Sequence, residues 1–157
     1  MTRLAFLSPD ESAPEVARVS PLRHAQLGPA VTDVSGLGKL EVHGEPAPEG
    51  ALPLGPGRSL LVLEGDVRQT RDGLVAQGLR VYDRTASLAA FEVEGEDLLR
   101  RLTELDLGAL PCVGAIARGV PAVLERRGGE RFRLFVPQEL GHYVAEVAAD
   151  AAEGLGR

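Results

Sequence analysis

The chain has 157 residues, of which 44% are hydrophobic, 25% are charged and 4% are aromatic, and its formal net charge is −6. A chain of this length can bury the core of one domain, while its acidity argues against a general binder of nucleic acid or of anionic membranes. Its single cysteine, Cys112, excludes an intramolecular disulfide and fits a reducing compartment. The apolar run at the amino terminus is too short for a secretory signal, and no run approaches the length of a membrane span, so we expect a cytoplasmic protein.

The first third of the chain predicts an arm, a short helix, a strand and a loop. Residues 1–18 are turn-rich and acidic and are interpreted as an arm. Ser20 followed by proline is typical of a helix start, so a short helix is predicted over Pro21–Leu27. Lys39–His43 is predicted to be a half-buried strand, because its apolar and polar residues alternate. Pro46–Gly57 contains four prolines and three glycines and is predicted to be a surface loop.

The middle of the chain predicts a strand, a helix and a second strand. Ser59–Leu63 is a continuous apolar run, typical of a central strand that is covered on both faces. Asp66 is the expected N-cap of a helix over Val67–Gln77, which Gly78 ends. The chain then leaves as a strand over Leu79–Asp83.

The last part predicts a strand, a helix, three further strands and a final helix. The alternating strand Leu88–Gly95 directs Phe91 and Val93 inward, and the following helix, Glu96–Leu105, carries one stripe of leucines. Two glycines, at 128 and 129, favour a hairpin. The remaining predicted elements are the strands Val113–Ala117, Val120–Arg126 and Arg131–Val136 and the helix Gln138–Ala152.

Two stretches of the chain share one pattern. Val31–Glu45 and Val81–Glu96 both begin V-x-D-x-[ST] and both end E-V-x-G-E, with one residue's difference in length. An internal duplication is one interpretation. The other is that two unrelated strand pairs share the same turn chemistry, since Asp and Ser/Thr both bond to nearby backbone in turns. The sequence leaves both open.

No assembled catalytic or metal centre is predicted. The three histidines, His24, His43 and His142, are scattered, and Cys112 has no ligand or base at a suitable spacing, so it is interpreted as a small buried hydrophobe. Glycine-rich phosphate loops and the nucleophile motif G-x-S-x-G are both missing from the sequence.

Arginines and aspartates supply the remaining candidates for a ligand site. Four arginines surround the Gly-Gly turn: Arg126, Arg127, Arg131 and Arg133. They could receive an acidic ligand, but the favoured interpretation is a solvated hairpin end, because Glu125 and Glu130 are interspersed with them. Asp33 and Asp83 each close a strand before a turn and need no role beyond forming that turn.

The order of these motifs resembles a known family. Val81–Leu107 resembles the entry segment of the folate-binding aminomethyltransferase-like fold. More closely, residues 19–152 are similar to the gamma subunit family of heterotetrameric sarcosine oxidase. The matching segments are S-P-L at Ser20, V-T-D-V-S…L-E-V-H-G from Val31, L-G-P-G-R-S-L-L-V-L from Leu54, and R-F-R-L-F-V-P-Q-E-L from Arg131.

This resemblance implies a fold. We expect an α+β domain, ferredoxin-like or aminomethyltransferase-like, with a mixed antiparallel sheet and helices packed on it. The expected organisation is an arm over 1–18, a single domain over 19–152 and a tail over 153–157.

The resemblance also implies a function, that of an accessory subunit of a sarcosine-oxidase-like complex, with the flavins in larger partner subunits. No catalytic residue, metal or bound cofactor is then expected in this chain. The alternative is a stand-alone protein that binds tetrahydrofolate for one-carbon transfer, with Asp33, Asp83 and Arg84 as the candidate contacts. Neither function involves nucleic acid or a membrane, and self-association is the third outcome considered.

Overall fold

A computed structural model describes residues 19–155 of the chain, so the predicted arm and the last two residues lie outside it. Within this range, no helix is long and apolar enough to cross a membrane. The strands are β1 (Val31–Asp33), β2 (Gly38–His43), β3 (Leu52–Gly55), β4 (Arg58–Leu63), β5 (Arg80–Asp83), β6 (Leu88–Glu94), β7 (Cys112–Ile116), β8 (Val120–Gly128) and β9 (Arg131–Pro137). The helices are α1 (Val67–Ala76), α2 (Glu96–Leu102) and α3 (Gly141–Glu153).

The strands form two antiparallel sheets. The larger sheet has the order β1-β6-β9-β8-β7, and the smaller has the order β3-β4-β2-β5. The predicted α+β class, with antiparallel strands and helices packed on them, is confirmed. The division into two sheets, rather than one mixed sheet, was not predicted.

The two sheets stack between two helical layers. Helix α1 packs on the outer face of the smaller sheet, where Val67 and Leu74 meet Leu40 and Val42. Helices α2 and α3 pack on the outer face of the larger sheet, in a core that includes Phe91. A third apolar cluster lies between the sheets and contains Leu52, Leu60, Ala90 and Phe135. Both sheets are therefore covered over part of each face.

The similar stretches noted in the sequence occupy equivalent places in the two sheets. The order β5-β2-β4-β3 in the smaller sheet corresponds to β1-β6-β9-β8 in the larger one. A helix follows the third strand of each set, α1 after β4 and α3 after β9. We call β1 to α1 the first repeat and β5 to α3 the second repeat. The first strand of each repeat is exchanged, because it pairs in the sheet formed by the other repeat: β1 pairs with β6, and β5 pairs with β2.

The turns that make this exchange are also equivalent. Asp33 Oδ1 accepts a hydrogen bond from the Ser35 amide at 2.9 Å, and Asp83 Oδ1 accepts one from the Thr85 amide at 2.8 Å. The Ser35 hydroxyl then accepts from the Ala90 amide at 3.0 Å, and the Thr85 hydroxyl accepts from the amide of Lys39 at 3.1 Å. Because the correspondence extends from these bonds to strand order and helix position, it supports duplication over coincidence of turn chemistry.

Most predicted elements are confirmed, with small shifts at their ends. Strand β4 is central, as expected, and α1 is capped by Asp66, whose side chain accepts from the Gln69 amide. Gly78 follows α1 with φ of 87°, a conformation that suits glycine at a helix end.

Three predicted elements are wrong in part. Pro21–Leu27 forms turns rather than a helix, because so short a segment gains too few helical hydrogen bonds to repay nucleation. The loop Pro46–Gly57 contains β3, an edge strand that tolerates Pro53 because one side of its backbone has no strand partner. Helix α2 ends at Leu102 rather than Leu105, since the Thr103 hydroxyl bonds to the Ala115 carbonyl at 2.8 Å and draws the chain toward β7.

The hydroxyl groups of Ser35 and Thr85 provide a test of how the first strand of each repeat is joined to the sheet of the other repeat. Replacing Ser35 with Ala, or Thr85 with Val, leaves a buried backbone amide without its acceptor, so each change should lower the free energy of unfolding by about 1–3 kcal/mol. Urea denaturation measures this loss. The control is Ser87→Ala, whose hydroxyl donates, among residues 19–155, only to the Arg84 carbonyl in its own turn, and its effect should stay within about 0.5 kcal/mol. Losses no larger than the control's in both variants would contradict the proposed role of the hydroxyls.

Candidate functional site

A cavity of about 260 Å³ opens between the two sheets. Its apolar walls come from both sheets and include Leu60 of β4 and Val123 and Phe135 of the larger sheet. Its charged residues are Glu41 of β2, Arg58 of β4 and Arg84, which follows β5. An apolar cavity with a few convergent polar groups is the usual form of a small-molecule site, so this inter-sheet cavity is the candidate site.

Glu41 is the centre of the charged group. Its Oε1 accepts hydrogen bonds from Arg58 Nη2 at 2.7 Å and from Arg58 Nε at 3.2 Å, and it lies 2.7 Å from His43 Nε2. Its Oε2 forms an ion pair with Arg84 Nε at 3.5 Å. The carboxylate is nearly enclosed, whereas about half of each arginine side chain remains exposed. The two guanidinium groups therefore keep donors that face solvent.

These contacts set the protonation state of Glu41. Burial acts to raise its pKa, but the hydrogen bonds with His43 and Arg58 and the charges of Arg58 and Arg84 together outweigh burial and hold the pKa below its usual value. A lowered pKa makes a carboxylate a weaker general base at neutral pH. The arrangement suits binding of an anionic group by the arginines better than proton transfer.

The cavity contains one of the three residues predicted from the sequence. Arg84 lines it, while Asp33 and Asp83 do not. Both aspartates form the turns described above, and Asp33 also accepts a hydrogen bond from the Ser20 hydroxyl. Their turn-forming role is confirmed. A contact of Asp33, Asp83 or Arg84 with folate stays a prediction.

Sequence reasoning missed the polar face of β2. The alternation in Lys39–His43 predicted that Lys39, Glu41 and His43 would face outward, but this face meets the larger sheet and Lys39 is fully buried. The Lys39 ammonium donates to the Ser35 carbonyl at 2.7 Å. Alternation marks two faces of a strand, but it cannot show that a second sheet will cover the polar one.

Three of the four arginines around the Gly-Gly turn, Arg126, Arg127 and Arg133, have internal partners. Arg133 is buried between Glu92, at 2.6 Å, and Glu125, at 3.3 Å. Arg126 lies over the Phe132 ring at 4.5 Å and reaches Glu96 at 3.3 Å. The prediction of a solvated hairpin end is therefore wrong for Arg133, because strands β6 and β8 place one carboxylate on each side of its guanidinium group.

Burial also affects two further ionisable groups. The pKa of Glu125 is raised by its burial, against the lowering effect of Arg127 and Arg133. The pKa of Cys112 is raised by burial and then by the negative charge of Asp106, so the group is a thiol rather than a reactive thiolate. No group of three or more potential metal ligands occurs within residues 19–155.

Comparison with known proteins finds similarity in structure. No family model matches the chain and no curated protein sequence matches it. Among solved structures it is similar to a chain of the heterotetrameric sarcosine oxidase from Corynebacterium sp. U-96, in complex with pyrrole 2-carboxylate. The TM-score is 0.73 at 19% identity, over 89% of this chain and 97% of that one. The predicted resemblance to sarcosine oxidase is confirmed at the level of the fold.

Glu41 should make stability depend on pH in the acid range. A lowered pKa in the folded state stabilises the fold above the pKa of the unfolded chain, and this stabilisation is lost as the pH falls through the folded-state pKa. The variant Glu41→Gln should therefore lose less stability on acidification than the wild type. Urea denaturation over a series of acid pH values measures the slope.

The control is Glu64→Gln, which removes the same charge from an exposed position. The acid slope of Glu41→Gln should be shallower than that of this control. Equal slopes for wild type and Glu41→Gln would contradict the assigned charge environment.

Proposed function

We propose that this chain is an accessory, non-catalytic subunit of a sarcosine-oxidase-like complex in sarcosine and one-carbon metabolism. It acts in assembly or in the architecture of the folate site, and larger partner subunits hold the flavins. The observation that carries this proposal is the fold match, which extends over 97% of one chain of a heterotetrameric sarcosine oxidase. A fold shared over almost the whole of a subunit favours a similar place in an assembly.

The chemistry of the ionisable groups supports an accessory role. The negative charge of Glu41 is balanced by the neighbouring arginines, and its lowered pKa makes it a weaker base. The raised pKa of Cys112 makes it a poor nucleophile. Both groups thus have the opposite of the tuning that general-base or thiolate catalysis requires.

Two exposed apolar side chains on edge strands support contact with a protein partner. Tyr82 lies on β5, at the edge of the smaller sheet, and is 49% exposed. Val113 lies on β7, at the edge of the larger sheet, and is 50% exposed. Edge strands have unpaired backbone groups that another chain can cover, and tyrosine is frequent among the residues that dominate binding energy at interfaces.

Co-expression tests the proposal. The chain should be produced, with an affinity tag, together with the proteins encoded beside its gene. We expect a flavoprotein to co-purify with it, and the purified complex to oxidise sarcosine while the isolated chain does not. Recovery of the isolated chain alone, without flavin absorbance, would contradict the proposal.

Matched substitutions test the suggested contact surface. Val113→Asp should reduce recovery of the flavoprotein, since a charge in a buried interface costs binding energy. Val75→Asp on α1 is the control, because Val75 has almost the same exposure, 52%, and lies on another surface. Equal recovery with both variants would place the contact away from β7.

One observation favours the alternative, a stand-alone protein that binds folate. The inter-sheet cavity combines apolar walls with the exposed guanidinium donors of Arg58 and Arg84, which suits an aromatic ring joined to carboxylates. At about 260 Å³ it is smaller than most pockets that enclose drug-sized ligands, so it would hold part of the molecule.

Calorimetric titration with tetrahydrofolate distinguishes the alternative. If it holds, the isolated chain releases or absorbs heat in a saturable way, and Arg84→Ala weakens binding by about tenfold or more through loss of a charged hydrogen-bond donor. Arg68→Ala, an exposed change on α1, should bind as the wild type does. No heat from the isolated chain would remove the alternative and leave the accessory role standing.

A further inference from the structure

A second cleft, of about 530 Å³, lies apart from the inter-sheet cavity. It is bounded by the last turn of α2, the segment that follows it and the turn between β7 and β8. Leu105 forms part of its apolar wall and packs tightly on Gly114 of β7, where a Cβ atom would lie 2.4 Å from Leu105 Cδ1. The volume is in the range of pockets that hold small molecules.

The charge of this cleft is opposite to that of the whole chain. Arg100, Arg101 and Arg118 line it, together with one carboxylate, Glu104, while the chain has a net charge of −6. Arg100 is paired with Glu96 at 2.7 Å. Arg101 and Arg118 form no ion pair and no side-chain hydrogen bond with any other residue between positions 19 and 155. Both side chains are exposed, and Nη1 of Arg101 lies beside Gly154 at the end of α3, so their donors remain open to a ligand within the described structure.

Helix electrostatics accounts for part of this cluster. Arg100 and Arg101 lie in the last turn of α2, where cations interact favourably with the helix dipole. Arg118 lies on a different element, the tight turn Ile116–Gly119, and needs a separate explanation.

The backbone at Arg118 is strained. Ala117 and Arg118 have φ of 45° and 67°, and the Gly119 amide bonds to the Ile116 carbonyl at 3.0 Å across the turn. The hairpin loop between Ile116 and Val120 has three residues, and its first two, Ala117 and Arg118, adopt the left-handed conformation, which Asn and Gly adopt most easily. An arginine in this position is disfavoured by its Cβ, and such strain is found at functional sites more than elsewhere.

Hydrogen bonds hold the strained turn in a fixed place. The Ala117 amide donates to the Leu102 carbonyl of α2 at 2.7 Å. The Tyr143 hydroxyl of α3 donates to the Ala117 carbonyl at 3.1 Å. The turn is thus attached to both helices, which fixes the backbone of Arg118 beside the end of α2.

From these observations we propose that the cleft binds a small organic oxyanion, with a carboxylate or phosphate group held by Arg101 and Arg118. Guanidinium groups match both oxyanions through paired N–H donors. The apolar wall at Leu105 contacts the carbon skeleton of the ligand. The site is separate from the inter-sheet cavity and does not depend on assembly with other subunits.

Titration of the full-length protein tests this site, with inorganic phosphate, citrate and sodium chloride as separate probes at matched ionic strength. We expect saturable heat and an increase in melting temperature with phosphate or with citrate, and neither with chloride. A response to phosphate alone identifies a phosphate site, and a response to citrate alone identifies a carboxylate site. No saturable response to either anion would overturn the proposal.

The variant Arg118→Gly separates binding from folding. Glycine adopts the left-handed conformation without strain, so the ligand-free variant should melt at or above the temperature of the wild type. It should also bind the responding anion about tenfold or more weakly, as expected for loss of a charge-assisted hydrogen bond. Arg101→Gln, which changes the opposite wall, should weaken binding in the same way.

The control for net charge is Arg68→Gln, on the exposed surface of α1, which should bind as the wild type does. Wild-type affinity in both Arg118→Gly and Arg101→Gln would overturn the proposal. An equal loss in Arg68→Gln would do so as well, because it would show that only overall charge matters.

Discussion

The fold depends on two hydroxyl groups that join its sheets. The hydroxyls of Ser35 and Thr85 each follow the first strand of one repeat and accept a hydrogen bond from a backbone amide in a strand of the other repeat. Both side chains are buried, so water cannot replace them as acceptors. Because β1 completes the larger sheet and β5 completes the smaller one, each sheet gains its last strand only when the turn after that strand forms.

This exchange explains why charged groups occur inside the molecule. The crossing of the turns brings the polar face of β2 against the larger sheet, and the side chains on that face lose most of their contact with water. A buried charge is tolerated only where partners are close. Glu41 has Arg58, Arg84 and His43 around it, and the Lys39 ammonium has the Ser35 carbonyl. The inter-sheet cavity is thus a consequence of how the sheets are joined.

Local signals in the sequence predicted local structure well. Asp66 marked the start of α1, because a capping side chain acts on amides only two or three residues away. The apolar run in β4 predicted a central strand, since the side chains on both faces of such a strand have to be covered by other elements. The V-x-D-x-[ST] pattern predicted two turns, and the two Asp side chains form them by accepting hydrogen bonds from the amides of Ser35 and Thr85.

Features that depend on distant residues could not be predicted. Strand β3 exists because β4 offers it a partner, although its own sequence of proline and glycine favours a loop. Helix α2 ends early because Thr103 bonds to Ala115, twelve residues away. The site residues Glu41 and Arg58 become neighbours only through the β2–β4 register, in which His43 lies opposite Arg58. No spacing along the chain encodes that contact.

The two arginine environments differ in a way that bears on function. Arg58 and Arg84 already share the carboxylate of Glu41, so a ligand anion in the inter-sheet cavity has to compete with an internal ion pair. Arg118 has no such competitor within residues 19–155 and is held by a strained turn that glycine or asparagine would form more easily. Strain retained at an exposed side chain contributes nothing to stability, whereas the pairing of Glu41 does. Arg58 and Arg84 therefore contribute mainly to the stability of the fold and less to ligand binding. Arg118 contributes mainly to ligand binding.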